Sequence, residues 1–196
     1  MCKRTLLVSM VLALVFTVPV FSTPAESAEW ELDNGHKNLV VAINHINVSD
    51  VYGFFLDWEA SAQYDPDNPG NTSLSVTIQS NSFFTGIRDR DDHIKSPDFL
   101  NAGEYPEITF ESTGVRVVNS DDYDLAITGD FTLRGTTREI TIPLELTGRG
   151  EGPQGNFRQG FRAEFSIDRT EYGVDFMPDM LGHEVEIIMA GEMIRQ

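Results

Sequence analysis

The run Leu125-Ala126-Ile127-Thr128-Gly129-Asp130-Phe131-Thr132-Leu133 sets Leu125, Ile127, Gly129, Phe131 and Leu133 against Ala126, Thr128, Asp130 and Thr132. A period of two marks a strand with one face buried and one wetted. The pattern recurs on both sides. C-terminally, Ile140, Ile142, Leu144 and Leu146 alternate with Thr141, Glu145 and Thr147. Phe161, Ala163, Phe165 and Ile167 face away from Arg162, Glu164, Ser166 and Asp168, and Val185, Ile187 and Met189 close the chain. N-terminally, Ile108 and Phe110 share a face, as do Leu74, Val76 and Ile78. Phe54, Leu56, Trp58, Ala60 and Ala62 are expected on one face, and Leu39, Val41, Ile43 and His45 on another. Turn-forming clusters such as Asp65-Pro66-Asp67-Asn68-Pro69-Gly70-Asn71 punctuate the runs.

The count is about eight strands with one apolar face each. A sandwich or a closed barrel buries such faces, and a barrel of this size is just wide enough for its own side chains or one small ligand. Ala60, Ala62, Gly129 and Ala163 interrupt the apolar faces and are expected to leave room inside. Helix is expected only in short pieces, at residues 92–100 and 177–181. The expectation is an all-β, antiparallel barrel with one or two short helices.

The N-terminus reads as an export signal. Met1-Cys2-Lys3-Arg4 is basic, residues 6–21 are largely apolar, and small residues follow at Ser22, Thr23, Ala25, Ser27 and Ala28. Residues 1–28 are expected to be removed, leaving 29–196 as one domain in the periplasm or outside the cell. The whole chain has 14 basic and 31 acidic residues, a formal net charge of −17. That balance argues against nucleic acid and against lasting contact with anionic membranes. Cys2 is the one cysteine, so the mature domain would have no disulfide, thiolate nucleophile or cysteine-held metal.

The densest charge lies in Arg90-Asp91-Asp92-His93, shortly before the strand at Ile108. One reading has Asp91 orienting His93 for proton transfer. A second has His93 and an aspartate joining His36, His45 or His183 on a metal, although none of these has an i, i+4 or His-x-His spacing. The third is a capping and ion-pair network, with Arg90 on a carboxylate and Asp91 or Asp92 capping the turn. No serine-nucleophile motif or phosphate-cradling glycine loop accompanies the cluster, so the third reading is preferred and no catalytic residue, metal or cofactor is expected.

Three ordered motifs then carry a family resemblance. They are Arg90-Asp91-x-His93 with Ser96-x-Asp98-Phe99 and Tyr105-Pro106-x-Ile108-x-Phe110-x-Ser112; Gly129-Asp130-Phe131-Thr132-Leu133-x-Gly135-x-Thr137; and Phe165-x-Ile167-x-Arg169-x-x-Tyr172-Gly173-Val174. From Trp30 to about Ile194 the chain resembles the YceI-like proteins, which are lipocalin-like and bind polyisoprenoids. It departs where the family's Asp-x-x-His-Ser is Asp33-Asn34-Gly35-His36-Lys37, and where Phe99-Leu100-Asn101 replaces Phe-Phe-Asp.

The resemblance implies a non-enzymatic carrier or store of an isoprenoid or other long-chain lipid, with a homodimer as an implied assembly and any membrane contact transient. The expected lumen lining is Leu39, Val41, Ile43, Phe54, Leu56, Trp58, Val76, Ile78, Phe110, Leu125, Ile127, Phe131, Ile142, Leu144, Phe161, Phe165 and Ile187. Polar rim or plug positions are His45, Arg90, Asp91, His93 and Arg169. The competing readings are an enzyme or pigment-binding protein using the Arg90–His93 cluster, and a stress-linked interaction protein with an occluded core.

Overall fold

The structure, a computed structural model, describes residues 27–118 and 120–196. Most of the proposed signal segment lies outside the described residues. The strands are β1 (Ala28–His45), β2 (Ser49–Phe55), β3 (Trp58–Tyr64), β4 (Ser73–Gln79), β5 (Phe83–Phe84), β6 (Glu107–Val117), β7 (Leu125–Leu133), β8 (Thr136–Glu151), β9 (Phe157–Asp168) and β10 (Leu181–Arg195). Among the described residues one α-helix, α1 (Arg88–Lys95), interrupts them.

The ladder runs β1-β3-β4-β6-β7-β8-β9-β10, and β10 pairs back onto β1 through Leu39↔Met189 and Val41↔Ile187, all antiparallel. Eight strands therefore close into a barrel, with β2 and β5 continuing the sheet from β1. β2 and β3 are two halves of one wall position. β2 pairs with Val40–His45 of β1 and β3 with Ala28–Glu31; β5 extends β2 through Phe54↔Phe84.

The break between β2 and β3 corrects the expected lining. Phe55 and Trp58 are both buried, three residues apart, so the inward phase slips by one across Leu56-Asp57. Phe54 and Leu56, 41% and 61% exposed, point outward, and Phe55 takes the inward place. A one-residue slip turns a whole strand segment over. Leu56 and Asp57 leave the β1 ladder: the Leu56 amide donates to the Ser82 carbonyl at 3.3 Å, and the Gln79 amide donates to the Asp57 carbonyl at 2.9 Å.

The helical expectations also shift. α1 begins at Arg88 and ends at Lys95, since Ser96 is extended (φ −70°, ψ 171°) ahead of Pro97. Residues 177–180 form a turn; the other helical pieces among the described residues are 3₁₀ turns over Pro69–Asn71, Ser80–Ser82 and Arg169–Tyr172, the last closed by Gly173 in the left-handed region. Gly129 does not leave room inside: a Cβ there would lie 2.4 Å from the Glu111 carbonyl oxygen and 2.6 Å from Phe110. It is a site of close backbone approach. Ala60, Ala62 and Ala163 do border a cavity.

Candidate functional site: an apolar lumen with a cationic end

The barrel interior holds two chambers that share walls at Val76, Ile142 and Met189. The larger, about 420 Å³, lies under α1. Its volume is within the range of about 300–1,000 Å³ typical of small-molecule sites. Of the expected lining, Leu39, Val41, Ile43, Val76, Ile78, Phe110, Phe131, Ile142, Phe165 and Ile187 border it. The smaller chamber, about 70 Å³, is bordered by Trp58, Leu125, Ile127, Leu144 and Phe161, again with Val76 and Ile142. Sequence reasoning missed Phe83, Ile94, Phe99, Leu100 and Val174, which come from the short β5, the helix and the loops, where no two-residue period exists to flag them.

His45, Arg90, His93 and Arg169 all reach the larger chamber. Asp91 does not. Its Oδ1 accepts the Thr85 amide at 2.7 Å and the Thr85 hydroxyl at 2.5 Å, tying α1 to β5. Arg90 was expected on a carboxylate; instead its Nε donates to the Thr85 hydroxyl at 2.8 Å and Nη2 to the Thr85 carbonyl at 3.3 Å. Thr85 thus serves as hub, and α1 has no side-chain N-cap of its own. Asp92 pairs only loosely with Arg88, at 3.7 Å on the surface.

The acid–base reading loses its geometry. His93 Nε2 meets Asp98 Oδ2 at 2.9 Å, not Asp91, and its ring packs edge-on against Phe99 and Phe176 at 5.1 and 5.3 Å. Phe99 and Phe176 also touch, at 5.3 Å, making an aromatic wedge under the helix. His45 shares the chamber with His93, whereas His36 bonds Asp33. Arg134, missed in the sequence, fastens this plug: its guanidinium donates to the carbonyls of Pro97 (2.7 Å), Phe99 (3.0 Å) and Gly173 (2.7 Å).

Arg169 is 2% exposed and has no ion-pair partner within 4 Å among the described residues. Its guanidinium donates to four carbonyls: Gly182 at 2.8 Å, Val174 at 2.6 Å, Phe176 at 3.1 Å and Leu181 at 3.2 Å. Burial pushes its pKa down, opposed by the charges of Asp168 and Asp175. A guanidinium stays protonated regardless. The chamber wall therefore contains a permanent buried cation solvated by peptide dipoles.

Away from α1, a second polar cluster forms on the barrel. Arg158 Nη1 lies 2.5 Å from Asp33 Oδ2 and 2.6 Å from Glu192 Oε2, and His36 Nδ1 lies 2.8 Å from Asp33. Asp33, His36 and Glu192 are the one described grouping close enough to share a metal ion, and the Arg158 guanidinium bridges its two carboxylates. Lys37, next to His36, donates from its ammonium to the Trp58 carbonyl and to Asn34 Oδ1 at 2.6 Å while lying 5.6 Å from the Trp58 ring centroid. It bridges the gap where β1 and β3 diverge.

Asp33 is held well below the usual carboxylate range by the Gly35 amide, then by His36 and Arg158. A lowered folded-state pKa gives stability that is complete above the unfolded value of about 3.9 and lost as pH falls through the folded one. Acid melting curves of Asp33→Asn are expected to fall less steeply with pH below about 4 than those of the parent. Equal slopes would show that the carboxylate carries no such linkage.

Most of the strongly exposed large apolar side chains surround the α1 end. Ile46, Val48, Tyr52, Phe54, Leu56, Phe84, Ile87, Met177 and Met180 belong to the β1–β2 turn, β2, β5 and the adjoining loops. Tyr52 and Met177 also line the larger chamber.

Comparison with known proteins places this geometry. The model of the YceI-like domain matches residues 30–193. A UPF0312 protein of Pectobacterium atrosepticum is 35% identical over 196 residues, covering both chains completely. Protein YceI of Escherichia coli is 36% identical over 188 residues, covering 94% of this chain and 97% of the relative. Among solved structures, Burkholderia cenocepacia BcnA superposes with a TM-score of 0.74 at 21% identity, covering 82% of this chain and 98% of that one. A polyisoprenoid-binding domain from Saccharophagus degradans, implicated in plant cell wall breakdown, gives 0.62 at 11% identity, covering 87% and 100%.

Proposed function

This chain belongs to the YceI-like family, and on that premise we propose that it is an exported, non-enzymatic carrier or store for a long isoprenoid lipid held in the barrel lumen. The observation that carries the reading is the 420 Å³ apolar chamber left unfilled inside a closed barrel. Each methylene moved from water into such a space contributes about 0.8 kcal/mol, so an extended hydrocarbon chain is held without a covalent or metal anchor. The polyisoprenoid-binding relative of the same fold supports this ligand class. The signal-like N-terminus supports action in the periplasm or outside the cell.

A lipid of this kind resides in membranes, and the apolar rim around the α1 end is the surface that would meet one. The acidic surface favours a neutral bilayer over an anionic one, and a brief encounter over a lasting one.

The test is native mass spectrometry of gently purified protein, with uptake of a fluorescent isoprenoid from neutral vesicles. A bound hydrocarbon and saturable uptake are expected; an empty lumen with no uptake overturns the reading. Val76, at the wall shared by the two chambers, provides a second test. Val76→Phe is expected to weaken long chains at least several-fold while sparing chains short enough for the larger chamber. The added bulk costs about 1–3 kcal/mol of stability, so melting curves are read alongside. Equal weakening of long and short chains would mean that the ligand does not cross that wall.

A further inference from the structure

The larger chamber is apolar except at its α1 end, where ionisable groups gather. Among the described residues that line it these are His45, Arg90, His93, Arg169 and the Tyr52 phenol, with no carboxylate. This holds in a chain whose formal net charge is −17.

The four basic groups converge. Arg90 and His93 are three apart on α1 and so share a face. Arg169 donates to the Phe176 carbonyl, and the Phe176 ring packs on His93. Arg169 also donates to the Leu181 carbonyl, and Leu181 is the register partner of His45.

Of the neighbouring acids three are held by hydrogen bonds, one of them by His93 of this same group, and the fourth, Asp175, acts on Arg169 through its charge. Asp91 accepts from Thr85, Asp98 from His93, and Asp168 from the Thr170 amide and hydroxyl. Donors remain. Arg90 uses Nε and Nη2 on Thr85, and its Nη1 amino group makes no hydrogen bond to the described residues. Arg169 has four of its five N–H groups committed.

We propose, building on the lipid-binding reading above, that this end of the lumen is a subsite for an anionic head group, a phosphate or a carboxylate, with the apolar tail running into the barrel. Arg90 is the contacting cation, because its free amino edge presents the planar fork that matches either anion. Arg169 contributes charge rather than contact, since its own donors hold the 174–182 segment. Apolar surroundings strengthen both attractions relative to water. A head group that only donates hydrogen bonds would find no carboxylate to receive it.

The experiment compares three ligands with one tail: farnesyl phosphate, farnesoic acid and farnesol, each displacing a fluorescent isoprenoid from the full barrel. At least one anion is expected to bind about tenfold or more tighter than the alcohol, a difference of about 1.4 kcal/mol. Which anion leads identifies the head. Arg90→Gln is expected to shrink that ratio, and Arg90→Lys to restore much of it; the ratio is insensitive to a partial loss of folded protein. Farnesol binding as tightly as both anions, or a ratio unmoved by Arg90→Gln, overturns the head-group subsite and leaves the lumen reading intact. Binding of none of the three overturns both.

Discussion

Arg169→Met is expected to lower stability on the order of 4 kcal/mol or more, the largest effect of any single substitution considered. The side chain fits the volume, but four carbonyls lose their donor at once. Each hydrogen bond from a charged donor contributes about 1.5–3 kcal/mol, and a buried acceptor left without a partner costs about 1–3 kcal/mol. The four losses do not add fully, because the 174–182 segment can loosen and let water reach some of them. Urea unfolding gives the measurement. Arg169→Lys is expected to recover only part, since an ammonium offers three donors and no planar fork. A cost below about 1 kcal/mol for the methionine variant would mean that these carbonyls are solvated in other ways.

Gly129→Ala is the second large effect. A Cβ would lie 2.4 Å from the Glu111 carbonyl oxygen and 2.6 Å from Phe110 Cζ. The ring could swing aside, but the oxygen belongs to the β6–β7 ladder beside its register shift at Ser112/Gly114. The expected cost is about 1–3 kcal/mol or somewhat more. For a chain of this size that lowers the melting temperature by roughly 2–12 °C. Gly148→Ala is the control: nothing lies within 4 Å of its Cβ position, and little change is expected. Equal melting temperatures for the two variants would mean that β6 and β7 separate at no cost.

Much of the barrel was legible because alternation is a local property. Leu125 to Leu133 could be read as a wall from nine residues, and β7 spans those same residues. The break at Leu56-Asp57 was not legible. It has no glycine or proline, and unbroken alternation through Phe54, Leu56 and Trp58 looks like a better strand than the true one. The slip is imposed by β1, which pairs with β2 and β3 on either side of a gap that Lys37 bridges.

The polar cluster shows the same division. The sequence marked Arg90, Asp91 and His93 as belonging together, and all four of its rim positions other than Asp91 reach the chamber. It could not assign their partners. Thr85 binds Arg90 and Asp91 because β5 brings it beneath the helix; Asp98 reaches His93 because the chain turns after Ser96. Arg158 and Asp33, 125 residues apart, meet only because β1 and β9 flank β10.

From the sequence alone came the strand period, an approximate strand count and the family motifs, since each depends on residues a few positions apart; the choice of a barrel over a sandwich rested on the resemblance those motifs carry. Only the tertiary structure decided which way Phe54, Phe55 and Leu56 face, whether the inward side chains meet or leave a chamber, and that this chamber ends among two arginines and two histidines with no carboxylate in its lining. Those are sums over eight strands and their registers. A side chain's size is written in the sequence, but the distance to the opposite wall is set by how the whole barrel closes.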